Sequence, residues 1–240
     1  MEIARIKRIV FLCSGGGGNL RFVHKAIELG LIADAQIVAV LTDRDCPANA
    51  FATSVGIANR SIAFRDDGQR SLLAALDEHE PDLVITTVHK ILHPSVVEKY
   101  RGRLINLHYS LLPAFGGEIG VRPVQAALAY GARFTGVTVH LVDETVDGGR
   151  PVVQAVIPTS PGDEDFDALM NLVFRCGCIA LLMAIAVRLN GWPAFPGSSL
   201  QLMQRMCCFS AAVSLPGEVL SDEKFWQAIA ATDIAGPGQA

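Results

Sequence analysis

No uncharged apolar run in this chain approaches the roughly 20 residues needed to span a bilayer. The longest lies between Arg175 and Arg188 and reads as a buried helix. A signal peptide is also missing: residues 1–7 mix charged and apolar types, and the short apolar run after them leads into the polar, glycine-rich Ser14 to Asn19. Nor is there a surplus of positive charge. The chain has 20 Lys and Arg against 24 Asp and Glu, a formal net charge of -4. That balance argues against a nucleic-acid surface, which needs a basic stripe, and the cluster Arg5, Lys7 and Arg8 is too small to change it. No CxxC pair occurs among the 6 cysteines, Cys13, Cys46, Cys176, Cys178, Cys207 and Cys208. Reduced thiols are expected for a chain of this size without a secretory signal, and with no histidine near either cysteine cluster no metal site is expected. These absences point to a cytoplasmic protein with small-molecule partners, no nucleic acid and no membrane, and leave open a homodimer.

What is present fits an α/β protein. The chain has 240 residues, 50% apolar and 18% charged, enough for a full core. Short apolar strands alternate with helical stretches: strands at 8–13, 35–41, weakly at 61–64, then 81–87, 103–108 and 134–142, with helices near 20–29 and 68–79. This predicts an open, mostly parallel twisted sheet with helices on both faces, Rossmann-like. Residues 151–157 are expected to pair with 134–142 as a hairpin across the turn at Asp147-Gly148-Gly149. Asp163 is expected to cap a long helix ending near Asn190, with Glu164 and Asp165 beside its positive end. Residues 1–190 make one domain; 191–240 form a C-terminal segment of unassigned role, frayed from Ile234 onward.

Two places carry chemistry. Ser14-Gly15-Gly16-Gly17-Gly18-Asn19 joins a strand to a helix, where glycines let backbone N–H groups approach an anion and the helix N-terminus adds favourable partial charge. A phosphate or carboxylate cradle is the reading, a tight turn its plain alternative. No Gly-Lys-Ser/Thr follows, so this is not a Walker loop, and the spacing is poor for a dinucleotide fingerprint. Asp43 does end the second strand where a ribose-binding acid would sit, which keeps a nicotinamide enzyme as a weak rival. The second place is Leu104-Ile105-Asn106-Leu107-His108. Alternate strand residues share a face, so Asn106 and His108 project together from the carboxyl end of a buried strand. A buried amide and imidazole need partners. Asp147, ahead of two glycines, sits in a tight turn from which its carboxylate can point back to the sheet edge.

The set Ser14 to Asn19, Asn106-Leu-His108-Tyr-Ser110-Leu-Leu-Pro113, and Gly136-Val-Thr-Val-His140-Leu-Val-Asp-Glu-Thr-Val-Asp147-Gly-Gly resembles the folate-dependent formyltransferases, nearest to their glycinamide ribonucleotide branch. The likeness runs from about Arg5 to Leu189. It implies an enzyme using 10-formyltetrahydrofolate as formyl donor, with catalytic Asn106, His108 and Asp147. An acceptor amine attacks the formyl carbon; Asn106 and protonated His108 donate to the resulting oxyanion, and Asp147 favours the imidazolium and relays the amine proton. Val88, His89, Lys90, Ile91 and Leu92, with Leu141, Val142, Asp143 and Glu144, are implied to wall the folate pocket. His140 reads as a support behind the site, and His89 and His93 as surface residues with no role of their own.

The resemblance is incomplete on the acceptor side. Where the branch carries a glutamate on the long helix this chain has Cys176, and the loop from Phe115 to Arg122 lacks the expected histidine-containing turn. Glu118 and Arg122 in that loop are candidates for reading a different amine. Rival activities are a formyltetrahydrofolate hydrolase, which usually carries an extra N-terminal domain for which this chain has no room, and a non-catalytic folate- or nucleotide-binding module.

Overall fold

The computed structural model describes residues 5–65, 67–160, 165–191, 197–212, 219–220 and 222–230. They fall into two compact units, one of residues 1–100 with 215–240 and the other of residues 101–214.

The first unit is a parallel α/β layer. Its strands are β1 (Lys7–Cys13), β2 (Ala35–Thr42), β3 (Ala58–Ser61) and β4 (Leu83–Thr87), alternating with helices α1 (Gly18–Glu28), α2 (Pro47–Ser54), α3 (Arg70–His79) and α4 (Pro94–Lys99). The strands lie in the order β3-β2-β1-β4, all parallel. β1 is therefore central and covered on both faces, so Ile9, Val10, Phe11 and Leu12 are all fully buried, as parallel strands flanked by helices require. From β1 the chain builds outward to β2 and β3, then returns to β4 on the other side. The carboxyl ends of β1 and β4 thus flank the switch point where open α/β sheets place ligands. Helix α7 (Glu223–Ala230) packs on α1: Trp226 stacks on Phe22 at 5.6 Å between ring centroids and Phe225 meets it edge-on.

The second unit is antiparallel. β5 (Leu104–His108), β6 (Phe134–Leu141), β7 (Pro151–Pro158), β8 (Ser198–Leu202) and β9 (Arg205–Phe209) lie in the order β5-β6-β7-β9-β8. Between β5 and β6 comes α5 (Arg122–Tyr130), and α6 (Phe166–Asn190) packs on β6 and β7. α6 is apolar enough and long enough to cross a membrane, but 78% of its most apolar window is buried inside the protein. Its Asp165 cap accepts from Ala168 N at 2.9 Å, and Gly191 ends it with φ 64°.

The α/β, Rossmann-like class expected from the sequence is the class observed, and the hairpin between 134–142 and 151–157 is β6 paired with β7. One strand lies elsewhere than expected: the third pairs through residues 58–61, not 61–64. The apolar Ile62 and Phe64 are buried as packing residues beyond the ladder, so their alternation marked burial, not pairing. The Asp163 cap and the frayed end from Ile234 lie outside the described residues. Within 191–240, the β8–β9 hairpin belongs to the second unit and α7 to the first.

Candidate active site

In the second unit, β5 pairs with β6 so that Asn106 faces His140 and His108 faces Thr138. Asn106 Nδ2 lies 3.2 Å from His140 Nε2, and His140 Nδ1 lies 2.8 Å from the Leu141 carbonyl oxygen. A carbonyl only accepts, so Nδ1 carries the hydrogen and Nε2 accepts from Asn106. Burial pushes the His140 pKa down, outweighing the Leu141 carbonyl and the Asp147 charge, which raise it. The ring is thus a neutral acceptor that fixes which way the Asn106 amide points.

Asp147 returns to this cluster from the β6–β7 connection in the left-handed conformation, φ 53°. Its Oδ2 lies 3.5 Å from His108 Nδ1 and its Oδ1 lies 3.7 Å from His140 Nε2. Glycine follows for steric reasons: a Cβ at Gly149 would sit 1.7 Å from the Leu141 carbonyl oxygen. The imidazole of His108 is 7% exposed and Asp147 12%, so this pair is largely out of water. Asn106, His108 and Asp147 are therefore brought together, with His140 among them as a hydrogen-bonded neighbour of Asn106.

Several participants had no signal in the sequence. The Phe115 carbonyl accepts from His108 Nε2 at 3.2 Å, and Gly117 N donates to Asp147 Oδ2 at 2.8 Å. Thr138 Oγ1 donates to the Ser110 carbonyl at 2.7 Å and accepts from Leu112 N at 3.1 Å, while Gln154 Nε2 donates to the Leu112 carbonyl at 3.1 Å. Thr138 shares a strand face with His140 two residues on, the one hint that it serves the same edge.

Of the other candidates in this unit, Glu118 and Arg122 pair with each other at 3.7 Å and are both exposed. Glu144 pairs with Arg101, and a backbone N–H together with that guanidinium holds its carboxyl below the usual range. Asp143 accepts from Thr145 N at 2.8 Å. Leu141 N and Val142 N donate to the carbonyls of Arg150 and Leu104. Cys176 is fully buried; its thiol is pushed well up by a hydrogen bond with Cys207 and by burial.

In the first unit, Gly17 caps α1 at φ 78°, and a Cβ there would come within 3.1 Å of Ala48 Cβ. No side chain caps α1 and no acid lies in its first turn, so its N-terminal amides face no negative charge from their own helix. Ser14 Oγ accepts from His89 N at 3.0 Å, joining the Ser14 to Asn19 loop after β1 to the Val88 to Leu92 segment after β4. Burial is the main cause that lowers the His89 pKa, with Arg44 adding to it. Ile91 is 76% exposed while its carbonyl accepts from Gln69 Nε2. His93, read as a surface residue, caps α4: its side chain accepts from Ser95 N. Asp43 is ion-paired with Arg44 at 3.4 Å. Among the described residues no group of His, Cys, Asp or Glu side chains is placed to hold a metal.

Residues 7–185 match the formyl transferase family. The phosphoribosylglycinamide formyltransferase of Mycobacterium tuberculosis is 38% identical over 166 residues, which is 66% of this chain and 74% of that protein. The solved phosphoribosylglycinamide formyltransferase of Coxiella burnetii superposes with a TM-score of 0.70 at 30% identity, covering 77% of this chain and 88% of that one. A formyltetrahydrofolate deformylase from Pseudomonas syringae reaches 0.69 at 20% identity, covering 85% of this chain and 66% of that one, a likeness of fold alone.

Proposed function

The chain belongs to the formyl transferase family, and from that premise we propose that it moves the formyl group of 10-formyltetrahydrofolate onto an amine of a small acceptor. The carrying observation is the proximity of an amide, an imidazole and a carboxylate: Asn106, whose Nδ2 is held by His140, and His108, with Asp147 at 3.5 Å. The amine attacks the formyl carbon, its lone pair forms the new C–N bond, and the formyl oxygen becomes an oxyanion. Asn106 and His108 donate to that oxygen, where charge develops. Asp147, beside the ring, stabilises its cationic form and takes the proton that the attacking nitrogen loses. Collapse of the oxyanion re-forms the C=O bond and breaks the bond from the formyl carbon to the folate nitrogen, which leaves as tetrahydrofolate with the proton that Asp147 took.

By the same reading, Val88 to Leu92 and Leu141 to Glu144 bind the folate, and the Ser14 to Asn19 loop holds an anionic group of the acceptor. The start of α1 supports the second assignment, because it has no side-chain cap and no acid in its first turn, and the helix dipole favours an anion there. The acceptor is glycinamide ribonucleotide, which would place the chain in purine biosynthesis, or another amine. The second choice rests on position 176, where a fully buried thiol stands in place of the glutamate that the resemblance implies. A thiol cannot pair with an ammonium as a carboxylate does.

Incubation with 10-formyltetrahydrofolate and a panel of amines, including glycinamide ribonucleotide, tests the proposal by following tetrahydrofolate. Amine-dependent release is expected. Release at the same rate without amine would make the chain a hydrolase. Replacing His108 by Asn should lower the amine-dependent rate by on the order of 10² to 10³, the usual cost of one oxyanion donor.

A further inference from the structure

His108 has two ring nitrogens, and both face acceptors supplied by the chain itself. Asp147 Oδ2 lies 3.5 Å from Nδ1, and the Phe115 carbonyl oxygen lies 3.2 Å from Nε2. A peptide carbonyl oxygen and a formyl oxygen are alike as acceptors, and one N–H direction holds one of them at hydrogen-bond distance. With Nδ1 committed to Asp147, Nε2 is the nitrogen left for the substrate.

We propose that the 115–117 segment is a resident stand-in for the substrate: the Phe115 carbonyl occupies the donor position on His108 that the formyl oxygen must take, and the segment withdraws when the formyl donor binds. This rests on the transferase reading of His108. The same withdrawal lifts Gly117 N–H from Asp147 Oδ2. Arrival of the formyl oxygen at His108 and release of the carboxylate for the amine's proton thus become one event.

The segment is built to move where its neighbours are not. Residues up to Ala114 are pinned: Ser110 Oγ donates to the Ala114 carbonyl at 2.6 Å, Ala114 N bonds the Leu111 carbonyl, and Leu112 is held at both backbone groups by Thr138 and Gln154. From Phe115 the character changes. Phe115 has φ 56°, a left-handed conformation that bulky side chains rarely adopt. Gly117 has φ 83° and Gly120 φ 67°, and residues 116–122 are exposed. The Phe115 ring touches Tyr130 edge-on at 6.5 Å, but Tyr130 is itself 84% exposed and anchors little. The hinges fall between Ala114 and Phe115 and at Gly120, just before α5. Affinity for the formyl donor is then reduced by the fraction of molecules in which the stand-in is seated.

Amide exchange at Gly117, with and without saturating 10-formyltetrahydrofolate and no amine, tests this directly. The folate should speed exchange at Gly117 by at least about fivefold, the factor that one intramolecular hydrogen bond of ordinary net strength represents. Exchange at Gly117 that is unchanged or slowed overturns the proposal, whatever the activity. Gly117→Pro lacks the N–H and cannot adopt the observed φ, so it should lower KM for the formyl donor by about fivefold. An unchanged or raised KM in a folded variant counts against the stand-in. The transferase reading fails on a different result, the absence of tetrahydrofolate release by the unaltered chain with every amine.

Discussion

Across the β5–β6 ladder, the Asn106 amide nitrogen lies 3.2 Å from Nε2 of a neutral His140. Because His140 Nδ1 is tied to the Leu141 carbonyl, the imidazole has one orientation and one tautomer. The Asn106 amide is therefore held with its nitrogen, not its oxygen, toward His140. An oxyanion donor is useful only if it already points at the place where charge will appear, so in the proposed mechanism His140 would act on the reaction through Asn106.

Replacing His140 by Phe keeps most of the ring volume and removes both hydrogen bonds. It should lower kcat by about tenfold, the cost of disordering a donor rather than deleting it, while Asn106→Ala costs on the order of 10² to 10³. In the double variant the His140 change should add almost nothing, because its effect passes through an amide no longer there. Full additivity in steady-state rates would show that His140 touches the chemistry by another route.

How much of this was legible in the sequence depends on whether side chains or backbone carry the feature. Asn106 and His108 stood out because polar residues two apart on a buried strand share a face, and His140 because its strand alternates. Phe115 and Gly117 contribute a carbonyl and an N–H, groups that every residue has, so nothing in the sequence marks them. In the fold, β1 and β4 were visible as continuous apolar runs. The β8–β9 hairpin was not, because its turn is Met203-Gln204, both at positive φ (45° and 66°), where a glycine or asparagine would have signalled it. α4, six residues long, is too short for a helical period to show.

Stability should respond to pH through His140. Burial lowers its pKa from 6.5 in the folded state, so below that value the unfolded chain binds the proton more readily than the native one. Stability then rises with pH across the window between the folded and unfolded values and falls on acidification through it. The limiting slope for one proton is about 1.4 kcal/mol per pH unit. Melting temperatures taken from pH 7.5 downward should fall less steeply for His140→Phe than for the unaltered chain. His89, also shifted down by burial, contributes equally to both curves and cancels in the comparison. Parallel curves would mean that the ring is solvated in the native state.

Gly149 has no room for a side chain. A Cβ there meets the Leu141 carbonyl oxygen at 1.7 Å and lies 3.3 Å from His140 Nδ1. Gly149→Ala must displace the acceptor that sets the His140 tautomer, so it should harm both stability and rate. A loss of at least about 2 kcal/mol is expected in urea unfolding, in the range of substitutions that break a buried network. Gly15 is the control: a Cβ there meets nothing within 4 Å, and Gly15→Ala should leave the unfolding midpoint nearly unchanged.

The thiols report on the wall formed by α6. Cys208 is exposed and Cys46 half-buried, whereas Cys13, Cys176, Cys178 and Cys207 are buried. Burial also pushes the Cys13 pKa up to about 12, which leaves almost none of the reactive thiolate near neutrality. Iodoacetamide at pH 8 should therefore modify Cys208 first and Cys46 next. The other four should react at least about a hundredfold more slowly, through opening of the structure; peptide mass spectrometry reads the order. The slow reaction of Cys176 is the result that matters for function. A thiol sealed against Cys207 cannot touch an acceptor, so any selectivity for the amine must come from other side chains. If Cys176 is modified as fast as Cys208 in the native protein, and an amine acceptor protects it, then this thiol lines the acceptor site and position 176 keeps its binding role with a new chemistry.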